Sequence, residues 1–150
     1  MSRPHIVAIW LLALTTHVFL AAQSSPPGLE GTAWNAVELA GTVLPAEAIA
    51  TADRRPHLVF GAGGRLSGAD GCNRLTGPYD TAVQPNGITF GNLAGTRMAC
   101  PNTDDIAKRF HDALAGTSHW SIVRERLEFY GATGKPLAVF ERRPPTPQKP

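Results

Sequence analysis

Short apolar runs closed by glycine, asparagine or proline recur along this chain, a pattern of strands and turns more than of long helices. Residues 31–39 place Ala33, Asn35, Val37 and Leu39 on one parity and Thr32, Trp34, Ala36 and Glu38 on the other. That spacing predicts a strand, but both faces carry apolar groups, so the core side stays open. Residues 41–55 are alanine-rich and weakly patterned, which predicts a loop with one helical turn at 46–50. His57-Leu58-Val59-Phe60 and Arg65-Leu66-Ser67-Gly68 flank a glycine-rich turn and predict a hairpin. A second pair of strands, 79–83 and 88–90, flanks Asn86-Gly87, which readily adopts positive φ. Between these hairpins, residues 67–79 form a run of turn formers that holds Cys72.

One helix is predicted. Asn102 or Thr103 can cap it, Asp104 and Asp105 suit its positive end, and Gly116 stops it. Ile106, Phe110, Ala113 and Leu114 fall at i, i+4, i+7 and i+8, a single apolar stripe. Strands at 120–123, 127–130 and 137–140 follow, the last two separated by Gly131-Ala132-Thr133-Gly134. The fold class is therefore α+β: a small curved antiparallel sheet, or a barrel-like β structure, with one main helix packed on it.

Length and termini refine this picture. A chain of 150 residues has room for one domain. Arg3 precedes a nearly uncharged run from Ile6 to Ala22 that ends in small residues, the order of a secretory signal peptide over residues 1–22. A retained membrane anchor is the competing reading, although Thr15, Thr16 and His17 interrupt the run. Residues 23–28 form a proline-rich linker, and residues 142–150, charged and proline-rich, a disordered tail. A formal charge of +2 without clustered basic residues excludes a nucleic-acid or anionic-membrane footprint. After cleavage no stable membrane span is expected, and the protein is expected to be periplasmic or secreted, and monomeric.

With these residues laid out, the chain resembles the META domain family, which includes the HslJ-like heat-shock proteins. The resemblance rests on Leu29-Glu30-Gly31-Thr32 with Trp34, on Gly63-Gly64-Arg65-Leu66-Ser67-Gly68, and on Gly71-Cys72-Asn73 with Gly77 and Tyr79. It continues through Thr96-Arg97-Met98-Ala99-Cys100-Pro101, Phe110, Leu114 and the terminal strands, and it spans residues 29–141. It implies a small secreted or envelope-associated domain with a barrel-like fold, linked to heat shock and antibiotic tolerance and without an established reaction. The chain departs from the family's lipoproteins in having no acylation cysteine at the expected cleavage site.

The two cysteines are the first candidates for chemistry. Export favours a disulfide between Cys72 and Cys100, as it does between the family's two matching cysteines; the rival is a reactive Cys72. No histidine lies in either cysteine segment to activate a thiol. No close-spaced ligand pairs suggest a metal, and no cofactor is expected. Asp70 beside Gly71 reads as a turn residue. Asp70, Asn73, Arg74 and Arg97, gathered by the disulfide, form a possible recognition surface. Trp34, Phe60, Phe90, Phe110, Trp120, Phe129 and Phe140 read first as core, and in a second reading as the lining of an apolar pocket. The function expected is that of a non-enzymatic binding protein with an envelope protein as partner. The alternative is a carrier or sensor of lipid or another apolar ligand.

Overall fold

The computed structural model describes residues 28–45, 55–82, 84–101 and 103–144. In chain order the strands are β1 (Thr32–Leu39), β2 (Thr42–Val43), β3 (His57–Gly61), β4 (Arg65–Ala69), β5 (Arg74–Asp80), β6 (Thr89–Phe90) and β7 (Ala94–Gly95). Helix α1 (Asp104–Gly116) follows, then β8 (His119–Val123), β9 (Arg126–Tyr130) and β10 (Pro136–Arg142). The expected signal segment, the helical turn at 46–50 and most of the linker and tail lie outside the described residues. Arg142, however, belongs to β10, and the Arg143 amide donates to the Ala33 carbonyl at 2.8 Å, so the ordered chain runs further than the expected tail allows.

The main strands form one antiparallel sheet in the order β6-β5-β4-β3-β1-β10-β9-β8, with β2 on β1 and β7 on β5. Two meanders, β3 to β6 and β8 to β10, are thus joined through β1. The open parity of β1 has a structural explanation. Its register with β10 slips between Ala36 and Glu38, which leaves Val37 as an extra residue. This bulge changes the phase of the strand, so Trp34 and Ala36 are buried before it and Leu39 after it. A second slip, between Pro136 and Ala138 of β10 against β9, adds to the bend. The sheet curls until its two ends touch. Gly87 bridges His119, the Ile88 amide reaches the Ser118 carbonyl at 3.1 Å, and the Trp120 amide reaches Asn86 at 2.9 Å.

Helix α1 lies against β10, β1 and β9. Phe110, Ala113 and Leu114 are buried as the stripe predicts, with Ile106 half-buried beside them. Phe110 meets Phe140 edge-on at 6.3 Å, and Phe140 meets Phe129 at 5.1 Å. Burying each such ring contributes roughly 1.5–3 kcal/mol. Both helix ends differ from expectation. Thr103 occupies the cap position without a capping hydrogen bond, because its hydroxyl donates to the Cys100 carbonyl at 3.1 Å. Gly116 is not a left-handed terminator; a Cβ there would meet Leu137 at 3.1 Å, so its role is close packing. The helix ends where Thr117 turns extended, with its amide on Leu114 and its hydroxyl on Ala113.

Candidate functional site

The turn-rich stretch around Cys72 is narrower than its composition suggests. β4 continues to Ala69 and β5 begins at Arg74, so only residues 70–73 make the turn. Asp70 organises it. Its Oδ1 accepts the amides of Cys72 at 2.8 Å and Asn73 at 2.7 Å, an Asx turn, while the Asp70 amide donates to the Asn73 carbonyl at 3.0 Å. Gly71 has φ +107, and a Cβ there would press on Ile106 at 3.2 Å and Pro56 at 3.4 Å. Glycine is required on both counts. The second carboxylate oxygen of Asp70 accepts from Nε2 of His111 on α1 at 2.9 Å.

This corrects one expectation. Asp70 is 3% exposed and faces inward, so it cannot be part of a recognition surface. Its position follows from what it does, since three hydrogen bonds to one carboxylate are strongest out of water.

Cys72 and Cys100 form a disulfide with Cα atoms 5.7 Å apart, and both residues are buried. The bond holds residues 96–101 against the turn, and Asn73 strengthens the clamp. Its Oδ1 accepts the Met98 amide at 2.7 Å and the Thr96 hydroxyl at 3.1 Å. The Arg74 amide in turn donates to the Thr96 hydroxyl oxygen at 3.1 Å. Asn73 is therefore a clamp between the two loops. Arg97 is exposed, and its guanidinium has no partner among the described residues.

Beside this clamp a surface groove of about 560 Å³ crosses the outer face of β3, β4 and β5, with β7 along one side. Ser67, Gly68, Arg74, Thr76, Thr96 and Arg143 define it. Of the four residues expected to form a recognition surface, only Arg74 lines this groove, and Arg97 does not. Ser67 and Thr76 are cross-strand partners. Composition did not single out Ser67, Thr76 or Arg143. The signal available for the first two was their parity, since both are small polar residues one position away from a buried leucine on a strand. Arg143 carried no such signal. Among the described residues no three histidine, cysteine, aspartate or glutamate side chains gather as a metal site. No helix among them is long and apolar enough to cross a membrane.

Comparison with known proteins places this geometry in context. The sequence profile of the META domain matches residues 27–144. Nothing among curated protein sequences matches significantly. The solved structures that resemble it include the NMR structure of a protein from Burkholderia xenovorans, with a TM-score of 0.59 at 22% identity over 95% of this chain and 97% of that one. A further NMR structure matches with a TM-score of 0.56 at 18% identity, over 74% of this chain and 88% of that one. The crystal structure of a duf4847 family protein from Bacteroides vulgatus matches with a TM-score of 0.55 at 15% identity, over 74% and 92%. At these identities the likeness is one of fold.

Proposed function

The chain belongs to the META domain family, and from that premise we propose that it is an exported, HslJ-like binding protein of the bacterial envelope. It acts without catalysis, in stress or antibiotic tolerance. The observation that carries this reading is the groove beside the disulfide clamp, an open surface held in shape by covalent and hydrogen-bonded contacts on one flank. A preformed surface of this kind binds without first having to order its loops. The disulfide supports a location outside the cytoplasm, where such bonds persist. The Asp70 carboxylate supports the non-enzymatic reading, because both its oxygens are engaged in holding the turn and the helix.

An apolar ligand inside the sheet is the weaker reading. Trp34, Phe60, Phe110, Phe129 and Phe140 are each 0% exposed and fill that space themselves. The test is amide NMR of the isotope-labelled mature protein mixed with fractionated envelope extract. Shifts confined to residues such as Ser67, Thr76 and Gly95, with no extract component consumed, are expected. Turnover of a component, or shifts centred on the buried aromatic residues, would overturn the reading.

A further inference from the structure

The chemistry of the groove points to the class of its occupant. Its lining includes two arginines, Arg74 and Arg143, and no aspartate or glutamate. Neither guanidinium has an ion-pair or hydrogen-bond partner among the described residues. Arg143 can be compared directly with its neighbour. Arg142 is committed, with Nε 2.6 Å from Glu125 and its guanidinium 4.6 Å above the Trp34 ring. Arg143 is one residue further along the chain and lines the groove, and no carboxylate among the described residues pairs with it. Its backbone is anchored by the bond to Ala33, so the root of the side chain is fixed. Glu141, two residues back, makes no ion pair with it. Arg74 starts β5 from the clamped turn, so its root is held as firmly.

The hydroxyls divide in a useful way. Thr76 donates to the Leu66 carbonyl at 3.1 Å and Thr96 to Asn73, so both protons are committed. The Ser67 hydroxyl has no partner among the described residues and remains available as a donor. Gly68, Ala94 and Gly95 provide a floor without long side chains. Two forked cations, one hydroxyl donor and a shallow floor suit a ligand that brings oxygen acceptors and negative charge. A guanidinium binds carboxylate or phosphoryl oxygens through two parallel hydrogen bonds. A volume near 560 Å³ is within the range that small ligands occupy.

We propose that this groove binds a small dianionic ligand through phosphoryl or carboxylate oxygens, held between Arg74 and Arg143 with Ser67 as a third donor. This rests on the reading of the groove as the binding surface, and it adds the chemical class of the occupant.

The test titrates the full mature protein with pyrophosphate, succinate and uncharged trehalose, and with vesicles of phosphatidylglycerol or phosphatidylcholine, following amide shifts and affinity. Pyrophosphate or succinate should move the amides of Ser67, Thr76 and Gly95, and added salt should weaken binding. Arg74→Gln and Arg143→Gln should each weaken it about tenfold. The lysine variants should retain part of the affinity, and Arg65→Gln, at an exposed arginine that does not line the groove, should retain all of it. Binding only to phosphatidylglycerol vesicles, whose phosphodiester headgroups carry one charge each, would overturn the inference of a small dianionic ligand. Equal weakening by Arg65→Gln would overturn it as unspecific charge attraction. If extract fractions move the groove amides while none of the anions does, the inference fails and the groove remains the binding surface. If neither extract nor anions move those amides, both fall.

Discussion

Single residues in this protein carry constraints of two kinds, steric and electrostatic. Gly68 illustrates the first. A Cβ at this position would lie 2.1 Å from the His57 carbonyl oxygen and 3.3 Å from the Leu58 Cα, both backbone atoms of the paired strand. Backbone cannot move aside as a side-chain tip can. Gly68→Ala should therefore destabilise the fold by about 3 kcal/mol, with the strand pairing itself disrupted. Urea unfolding measures this, and an unchanged midpoint would refute it. Tyr79 and Tyr130 illustrate the second. Burial, with Glu30 adding to it, pushes the Tyr79 phenol above its ordinary value of 10.0. Tyr130 is pushed up chiefly by the hydrogen bond it donates to Glu128, against a smaller opposing effect of Ser121. Below pH about 10 both phenols are protonated whether the chain is folded or not, and they add no pH dependence. Above it the unfolded chain loses these protons first and binds fewer than the folded one, so stability falls as pH rises. Urea midpoints taken at pH about 9 and about 11 should show this loss, and Tyr130→Phe should make it shallower.

At the scale of elements, two attachments matter most: the loop held by the disulfide and the helix held by its aromatic stripe. Removing the disulfide with Cys72→Ser and Cys100→Ser together frees a loop of about 29 residues, a cost of roughly 3.5 kcal/mol on the chain-entropy view. For a domain of this size that lowers the melting temperature by on the order of 10 °C. The loss should be uneven. The Met98 amide, held by Asn73 across the clamp, should lose hydrogen-exchange protection, while amides of β1 and β10 keep most of theirs. Uniform loss across the sheet would show that the clamp is part of the global folding unit. Phe110 ties the helix to the sheet through Phe140, and it is 0% exposed. Phe110→Ala should cost about 3–5 kcal/mol, measurable as a shift in the denaturation midpoint.

The whole molecule has one weak line, where the two ends of the curled sheet meet. The β1–β10 ladder is long, and β1 has partners on both sides. The meeting of the ends rests on the Gly87–His119 bridge and the amides of Ile88 and Trp120, next to a two-residue strand. The buried indole Nε1 of Trp120 has no hydrogen-bond partner among the described residues, and opening would let water satisfy it. The Ile88 and Trp120 amides should therefore exchange by local opening, faster than those of β1 and β10. Equal protection in native-state exchange would mean that the sheet behaves as a closed barrel.

The sequence by itself determined whatever depends on near neighbours along the chain. Glycine turns, the positions of β1, β3, β4, β8, β9 and β10, the stripe from Ile106 to Leu114 and the family segments around Cys72 and Cys100 were legible there, whereas most of β5 lay in a stretch that reads as turn formers. Periodicity and turn chemistry act over a few residues, so they survive without the fold. Three features belonged to the tertiary structure alone. The bulge at Val37 arises from pairing with β10, about a hundred residues away, and it resolves the two apolar faces of β1. Asp70 looked like a surface turn residue until the helix placed His111 against its free oxygen. The groove joins Ser67 and Arg74 to Arg143, whose side chain gains its position only because the last strand lies beside β1. Each is a contact between distant segments, set by register and curl, and neither periodicity nor composition carries that information.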